Sequence, residues 1–406
     1  MKVIKGGVCA PKGFKANGIH AGIRYNKNKL DLSLIKSDVI ASAAAVYTTN
    51  LVKGAPIYVT KANLNDGKAI AMLCNSGNAN TCNADGIEIA TKCCEILATN
   101  LNIRSSDVII ASTGVIGLPL STKPFETGIP LIVKDLGNTE EHATKACEGI
   151  MTTDTKVKQI AIEFEVGGKI AKLGAMTKGS GMISPAMATM LCFVTTDANI
   201  SPLMLDKALH DVADDSFNML SVDGDTSTND MLSIMANGLA GNDLIISEDE
   251  NYNKFKDALC YACKELAKQM AKDGEGATKL LVCKVNGAKT DLDARLVAKS
   301  VIKSSLLKSA MFGADANWGR VLCAIGYSKA DVNIEKVDMS FSSKKGEVKV
   351  CKNGSGIPFS EEIAKEILLE DEIDINIELN DGFSYSEGYG CDLTYDYVRI
   401  NGDYRS

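Results

Sequence analysis

The chain has 406 residues, 45% hydrophobic and 23% charged, the make-up of a globular protein long enough to bury a large core without staples. Forty-four basic residues stand against 51 acidic ones, a formal charge of -7, and no run or stripe concentrates Lys and Arg, which argues against a nucleic-acid partner. The 13 cysteines are odd in number and irregularly spaced, which excludes a regular disulfide or zinc framework; as free thiols they point to a reducing cytoplasm.

At the N-terminus, Met1 to Gly7 offers neither an apolar core nor a cleavage site, so no leader is expected. No run of about 18 apolar residues occurs, so no membrane span is expected either. Cys74 to Asn80 is rich in amides and small residues and reads as hydrogen-bonded turns, with a polar pocket as the alternative. Ile87, Ala90, Cys94, Leu97 and Leu101 recur at helical spacing. Asp107 to Ala111 reads as a buried strand, as do Met190 to Val194 and Lys279 to Val285. The polar stretch Gly241 to Asn253 reads as a surface loop rather than a domain seam. Phe255 to Met270 is helical and contains the one CxxC pair, Cys260 and Cys263. Asp291 to Ala310 reads as one helix, with Leu292, Leu296, Ile302 and Leu306 among its apolar positions. Pro358 and Ser360 introduce a short helix through Leu369. Ile373, Ile375, Ile377 and Leu379 alternate with polar residues, the pattern of a half-exposed strand. Cys74, Cys192, Cys283 and Cys323 lie in apolar runs and are expected to be buried as small hydrophobes. Strands and helices do not alternate regularly, which favours a layered α+β body with packed sheets.

The familiar catalytic templates fail. Only three histidines occur, His20, His142 and His210, with no GxSxG elbow, phosphate-binding loop or HExxH. Gly179-Ser180-Gly181 lacks the third glycine of a dinucleotide fingerprint. The unusual stretch runs from Lys178 to Leu191. It is Gly-rich, passes Pro185, and ends on Ala188 before Thr189 and a buried strand. A hydroxyl there can attack the preceding carbonyl, and hydrolysis of the resulting ester frees a chain that starts with Thr189. Its α-amine, with a pKa near about 8, can serve as the threonine's own base, so no histidine is needed. Composition alone favours an ordinary Gly-rich turn over this chemistry. Ser112 to Gly117 follows a strand, where a Thr hydroxyl and a Gly N–H can together hold an oxyanion; a plain turn is again the simpler reading.

At these residues the sequence resembles the ornithine acetyltransferase family, also called glutamate N-acetyltransferase, of arginine biosynthesis. The resemblance runs through Ala10 to Gly18, Tyr47 to Asn50, NSGNAN at 75–80, STGVIG at 112–117, Met151 to Thr155 and the Lys178 to Leu191 stretch. It continues through Ser221 to Thr226, Asp315 to Arg320 and Gly390 to Asn401. It implies an N-terminal-nucleophile-like αββα fold and self-cleavage between Ala188 and Thr189. The pieces would be an α chain of residues 1–188 and a β chain of residues 189–406, intertwined in one catalytic body and assembled as two αβ units. It implies ping-pong transfer from N2-acetylornithine to glutamate through an acetyl-Thr189 enzyme, with no cofactor or metal. By matching position, Thr189 is the nucleophile and Thr113 and Gly114 form the oxyanion hole. Thr152, Lys178, Glu275, Asn401 and Ser406 contact substrate together with Thr189. Some members also use acetyl-CoA as donor, and nothing in the sequence separates the two kinds.

The chemistry suits these roles. Lys178 can meet an α-carboxylate, and Glu275, in an Asp273 to Gly276 loop, can meet a side-chain ammonium. Without the resemblance each charge would read as a solvated surface group. Ser184 and Ala186 stand where the family commonly has Ala or His and then Asn, Ser406 replaces a common Thr, and Gly402 a common Ala; Ala186 removes an amide beside the cleavage turn. Two other readings stay open: a hydrolase with the same nucleophile, and a non-catalytic binding protein on the same scaffold.

Overall fold

The computed structural model describes residues 1–184 and 190–403. The strands are β1 (Lys2–Ile4), β2 (Phe14–Ile19), β3 (Leu32–Tyr47), β4 (Lys68–Asn75), β5 (Val108–Ser112), β6 (Lys158–Val166), β7 (Lys169–Lys178), β8 (Leu191–Thr196), β9 (Leu220–Ser221), β10 (Met231–Ala236), β11 (Leu280–Ala288), β12 (Asp338–Ser343), β13 (Gly346–Lys352), β14 (Ser355–Gly356), β15 (Glu372–Glu378) and β16 (Ser384–Cys391). The helices are α1 (Ala55–Asn63), α2 (Gly86–Leu101), α3 (Lys123–Lys134), α4 (Glu140–Glu148), α5 (Pro202–Asp215), α6 (Glu250–Lys272), α7 (Asp291–Lys303), α8 (Ser305–Phe312), α9 (Trp318–Gly326), α10 (Glu361–Leu368) and α11 (Tyr395–Asp403).

The first sheet runs β1-β6-β7-β8-β10-β3-β4-β5, with β2 also paired to β3. β3 serves two half-sheets. Its first part pairs β2 and β4, the register shifts between Lys36 and Ala41, and Ser42 to Tyr47 pair β10. The two-residue side-chain period then sorts the core. Met72, Cys74, Ile109, Ala111, Leu191, Phe193, Met231 and Met235 share one interior, between the half-sheets. Their neighbours Cys192, Val194, Leu232 and Ile234 face the other way, against α5 and α6. Ala71, Leu73, Val108 and Ile110 meet α2 and α3. The result is the expected αββα layering. Strands from both sides of the 188/189 bond alternate here, since β8 lies between β7 and β10, and β10 lies beside β3.

A second sheet, β14-β13-β12-β15-β11-β16-β9, carries its aliphatic face against α7, α8, α9 and α10. On the opposite face Leu280, Val282, Tyr389 and Cys391 join α6, which also packs against β6, β7 and α5, so this helix lies between the two sheets. Asp249 caps α6 by accepting from Tyr252 N at 2.9 Å, so residues 250–253, expected in a loop, form the first turn of the helix.

Two other expectations fail for local reasons. The helix expected from Asp291 to Ala310 is broken: Ser304 leaves the helical region (φ -67, ψ 106) and its hydroxyl caps α8 at Leu307 N. Leu292 and Leu306, two of the apolar positions that marked that helix, are 63% and 64% exposed. Cys323, also expected inside, is exposed on α9. Among the described residues no helix is long and apolar enough to cross a membrane.

Candidate active site

Parallel pairing brings the ends of β4 and β5 level, Asn75 opposite Ser112, so the loops after them lie side by side. Thr113 N donates to Asn75 O at 2.9 Å. Asn75 Oδ1 accepts from Asn78 N at 3.1 Å, and its amide donates to Ser112 Oγ at 2.6 Å. The NSGNAN segment thus forms the hydrogen-bonded turns its composition suggests, and it also lines cavities, Ala79 on the small one described next and Ser76, Gly77 and Asn78 on a larger neighbour. Its function is to back Gly114, which has φ +123; a Cβ there would lie 2.8 Å from Gly77 C and 2.9 Å from Asn78 N. A side chain at 114 would have to break that contact as well as bear the strained φ.

Thr113 and Gly114 open onto a cavity of about 140 Å³, which is also lined by Thr152, Lys178, Glu275 and Asn401. Six predicted residues, spread from position 113 to position 401, converge on this one space. Predicted Thr189 and Ser406, together with Ala186 and Ala188, lie outside the described residues. On either side of residues 185–189, the Ser184 carbonyl accepts from Thr226 Oγ1 at 2.9 Å and the Met190 carbonyl accepts from Met231 N at 2.9 Å. Gly181 and Met182, shortly before Ser184, also line the cavity.

Lys178 ends β7 and is only 9% exposed, so it is not the solvated charge that local reading favoured. Its Nζ lies 3.4 Å from Thr113 Oγ1. An ammonium can only donate, so the threonine keeps its own proton for another acceptor. Burial pulls the Lys178 pKa down; the Asp154 carboxylate opposes this, while Lys158 and Arg24 add to it. Glu275 stands in the loop after α6, where Asn401 Nδ2 of α11 donates to its Oε2 at 2.9 Å. Gly181 lies against it, and a methyl at 181 would sit 2.3 Å from the carboxylate and displace it. A cation and a carboxylate thus share one small chamber with a hydroxyl and a glycine turn. The histidines take no part: none lines the cavity, and they meet Asp31, Thr139 and Asp206 elsewhere.

Several residues escaped the sequence reading. Asn229, on the cavity wall, donates to Ala79 O at 2.6 Å and Ser112 O at 2.9 Å, and accepts from the Thr81 and Thr228 hydroxyls at 2.7 and 2.5 Å. Its one signal was an amide in a polar run just ahead of a strand. Asp154 and Lys158 lie under the site, 4% and 1% exposed and 2.7 Å apart. Asp154 belongs to the Met151 to Thr155 stretch, whose composition marks it as polar but not as buried. A second cavity of about 730 Å³ shares Gly114, Thr152 and Thr153 with the first and has Arg24 and Lys29 on its wall.

A model of the ArgJ family matches residues 15–406. The chain is 50% identical to the arginine biosynthesis bifunctional protein ArgJ 1 of Clostridium acetobutylicum, over 97% of this chain and 96% of that one. It is 45% identical to the glutamate N-acetyltransferase of Methanocaldococcus jannaschii, over the full length of both. A crystal structure of the Bacillus halodurans arginine biosynthesis bifunctional protein is 48% identical with a TM-score of 0.50; it covers 52% of this chain and 98% of its own.

Proposed function

The chain belongs to the ArgJ family and is an ornithine acetyltransferase of arginine biosynthesis, and on that premise we propose how its residues carry the reaction. Ping-pong transfer and self-cleavage are typical of the family. In our reading the Ala188–Thr189 bond is severed and Thr189 Oγ attacks the acetyl carbonyl of N2-acetylornithine. Thr113 Oγ1–H and the Gly114 N–H meet the oxyanion. The Thr189 amine takes the hydroxyl proton and passes it to the departing ornithine amine, leaving an acetyl ester. Glutamate's amine then attacks the ester and restores the threonine. Lys178 holds the α-carboxylate common to both substrates, Glu275 receives ornithine's side-chain ammonium, and Thr152, Asn401 and Ser406 complete the contacts.

The observation that carries this reading is the convergence of Thr113, Gly114, Thr152, Lys178, Glu275 and Asn401 on one cavity. Lengths agree with a cut chain: a piece of residues 189–406 would be 406 − 188 = 218 residues, about half, and the Bacillus halodurans chain matches 52% of this one. The larger adjoining cavity, with Arg24 and Lys29, supports acetyl-CoA as a second donor. Assembly as two αβ units and a cytoplasmic site of action complete the proposal.

The test is a purified-enzyme assay beside mass analysis. Two pieces, the second beginning at Thr189, and parallel-line kinetics with acetylornithine and glutamate are expected. A Thr189→Ala chain that remains uncut yet fully active would overturn the reading. Acetate released without glutamate would make the enzyme a hydrolase. Acetyl-CoA supplied as sole donor reports on the second cavity.

A further inference from the structure

Under the cavity, three chain segments are tied together by one carboxylate. Asp154 Oδ1 accepts from Gly179 N and from Lys158 Nζ, both at 2.7 Å, and Oδ2 accepts from Thr152 N at 2.9 Å. Gly179 and Thr152 are the backbone neighbours of the site: one follows Lys178, the other lines the cavity itself. Lys158 passes the connection on to Asp273, which also accepts from Thr155 N at 3.0 Å. Asp273 O accepts from Ser180 Oγ at 2.8 Å, and Ser180 O accepts from Glu275 N at 2.9 Å. The two ends of the site, Lys178 and Glu275, are therefore joined through buried polar bonds rather than through apolar packing.

We propose that Asp154 is a positioning residue for acetyl transfer: its carboxylate is the counter-charge that sets Lys178 for a substrate carboxylate, and its three hydrogen bonds hold the Lys178 and Thr152 segments in register. A buried carboxylate is costly unless paired, and a device that served stability alone would be better replaced by apolar side chains. Here both oxygens are committed, one to each side of the cavity. Burial works against the Lys178 ammonium first; Asp154 is the foremost charge that favours it, and Lys158 and Arg24 oppose it. Burial works against the Asp154 anion, but Lys178, Lys158 and the Gly179 N–H together keep it ionised well below the usual carboxylate range. The inference rests on the reading that Lys178 binds a carboxylate.

The experiment compares pH profiles of kcat/KM for acetylornithine in the full chain and in Asp154→Asn, Asp154→Glu and Asp273→Asn. Without the Asp154 charge, Lys178 loses its proton at lower pH. The alkaline limb should then move down by about one unit, an activity loss of about tenfold on that limb that shrinks towards neutral pH. Asp273→Asn removes a charge from the same Lys158 and is expected to lower the melting temperature while leaving the limb in place. Asp154→Glu keeps the charge but shifts it by a methylene; it should restore the limb while raising KM about threefold or more. An Asp154→Asn limb that coincides with that of Asp273→Asn would overturn the proposal. If Asp154→Asn does not fold, an unchanged KM in Asp154→Glu overturns it equally. Lys178→Met separates the two failures: unchanged kcat/KM there refutes the carboxylate role of Lys178, whereas a fall there beside an unmoved Asp154→Asn limb refutes only the Asp154 inference.

Discussion

Two buried regions of this molecule are held by opposite means. Beneath the cavity, Asp154, Lys158 and Asp273 sit out of water and are satisfied by one another and by backbone groups. Between the second sheet and α7 to α10, the interior is Leu281, Val285, Ile373, Ile375, Ile377 and their aliphatic partners. Aliphatic burial is strong and non-directional, worth about 1.5–3 kcal/mol per large side chain, and it tolerates small shifts. Buried ion pairs add little net stability but fix atoms to within a hydrogen bond. The chain spends directional bonding where reacting groups must be placed, and apolar area where a sheet must only be held.

Breaking each region separately should therefore give different losses. Thr189→Ala, on the catalytic side, should leave melting unchanged and reduce acetyl transfer by at least about a thousandfold, with an uncut chain on a denaturing gel. Ile375→Ala, at the centre of the aliphatic region, should cost about 2–5 kcal/mol in denaturant titration while kcat and KM at low temperature stay unchanged. A fall in kcat there would mean the two regions are coupled. Thr113→Ala should lower kcat by about a hundredfold with little change in stability, as expected for one lost oxyanion donor. The smallest effect concerns Lys299 on α7, whose pKa is pulled down to about 8 by burial first and by the charge of Lys303, with Asp214 opposing. The unfolded chain binds this proton up to about 10.4, so between the two values the unfolded state holds more protons and stability rises with pH. Lys299→Met should flatten that slope relative to the parent chain in melting scans from pH 8 to 10.

The long, strongly periodic elements were legible in the sequence because their cause is local. α2, α6, β5, β8, β11 and β15 fall within a few residues of the apolar patterns that mark them. Gly114 after a strand and the junction before Met190 stand out in one short window as unusual settings, but composition alone reads both as plain turns. The break at Ser304 was missed because a capping hydroxyl competes with a periodicity that runs on through it. Local composition alone would leave Lys178 a surface charge, and only the resemblance placed it at the substrate; Asn229, Asp154 and Asp273 lie in or beside polar stretches that gave no reason to single them out. The partners of Asp273 and Asn229 are far away in the chain: Asp273 meets Lys158 across 115 positions, and Asn229 meets Ala79 across 150. A hydrophobic period is a property of neighbouring residues, so the sequence by itself marks most of the strands and helices and, through its family motifs, the acetyl-transfer activity. Whether a charge is buried, and what satisfies it, depends on which strand ends and loops the layers bring level. Only the tertiary structure decides that, because the cost of an unpaired buried polar group is met by partners that no local window contains.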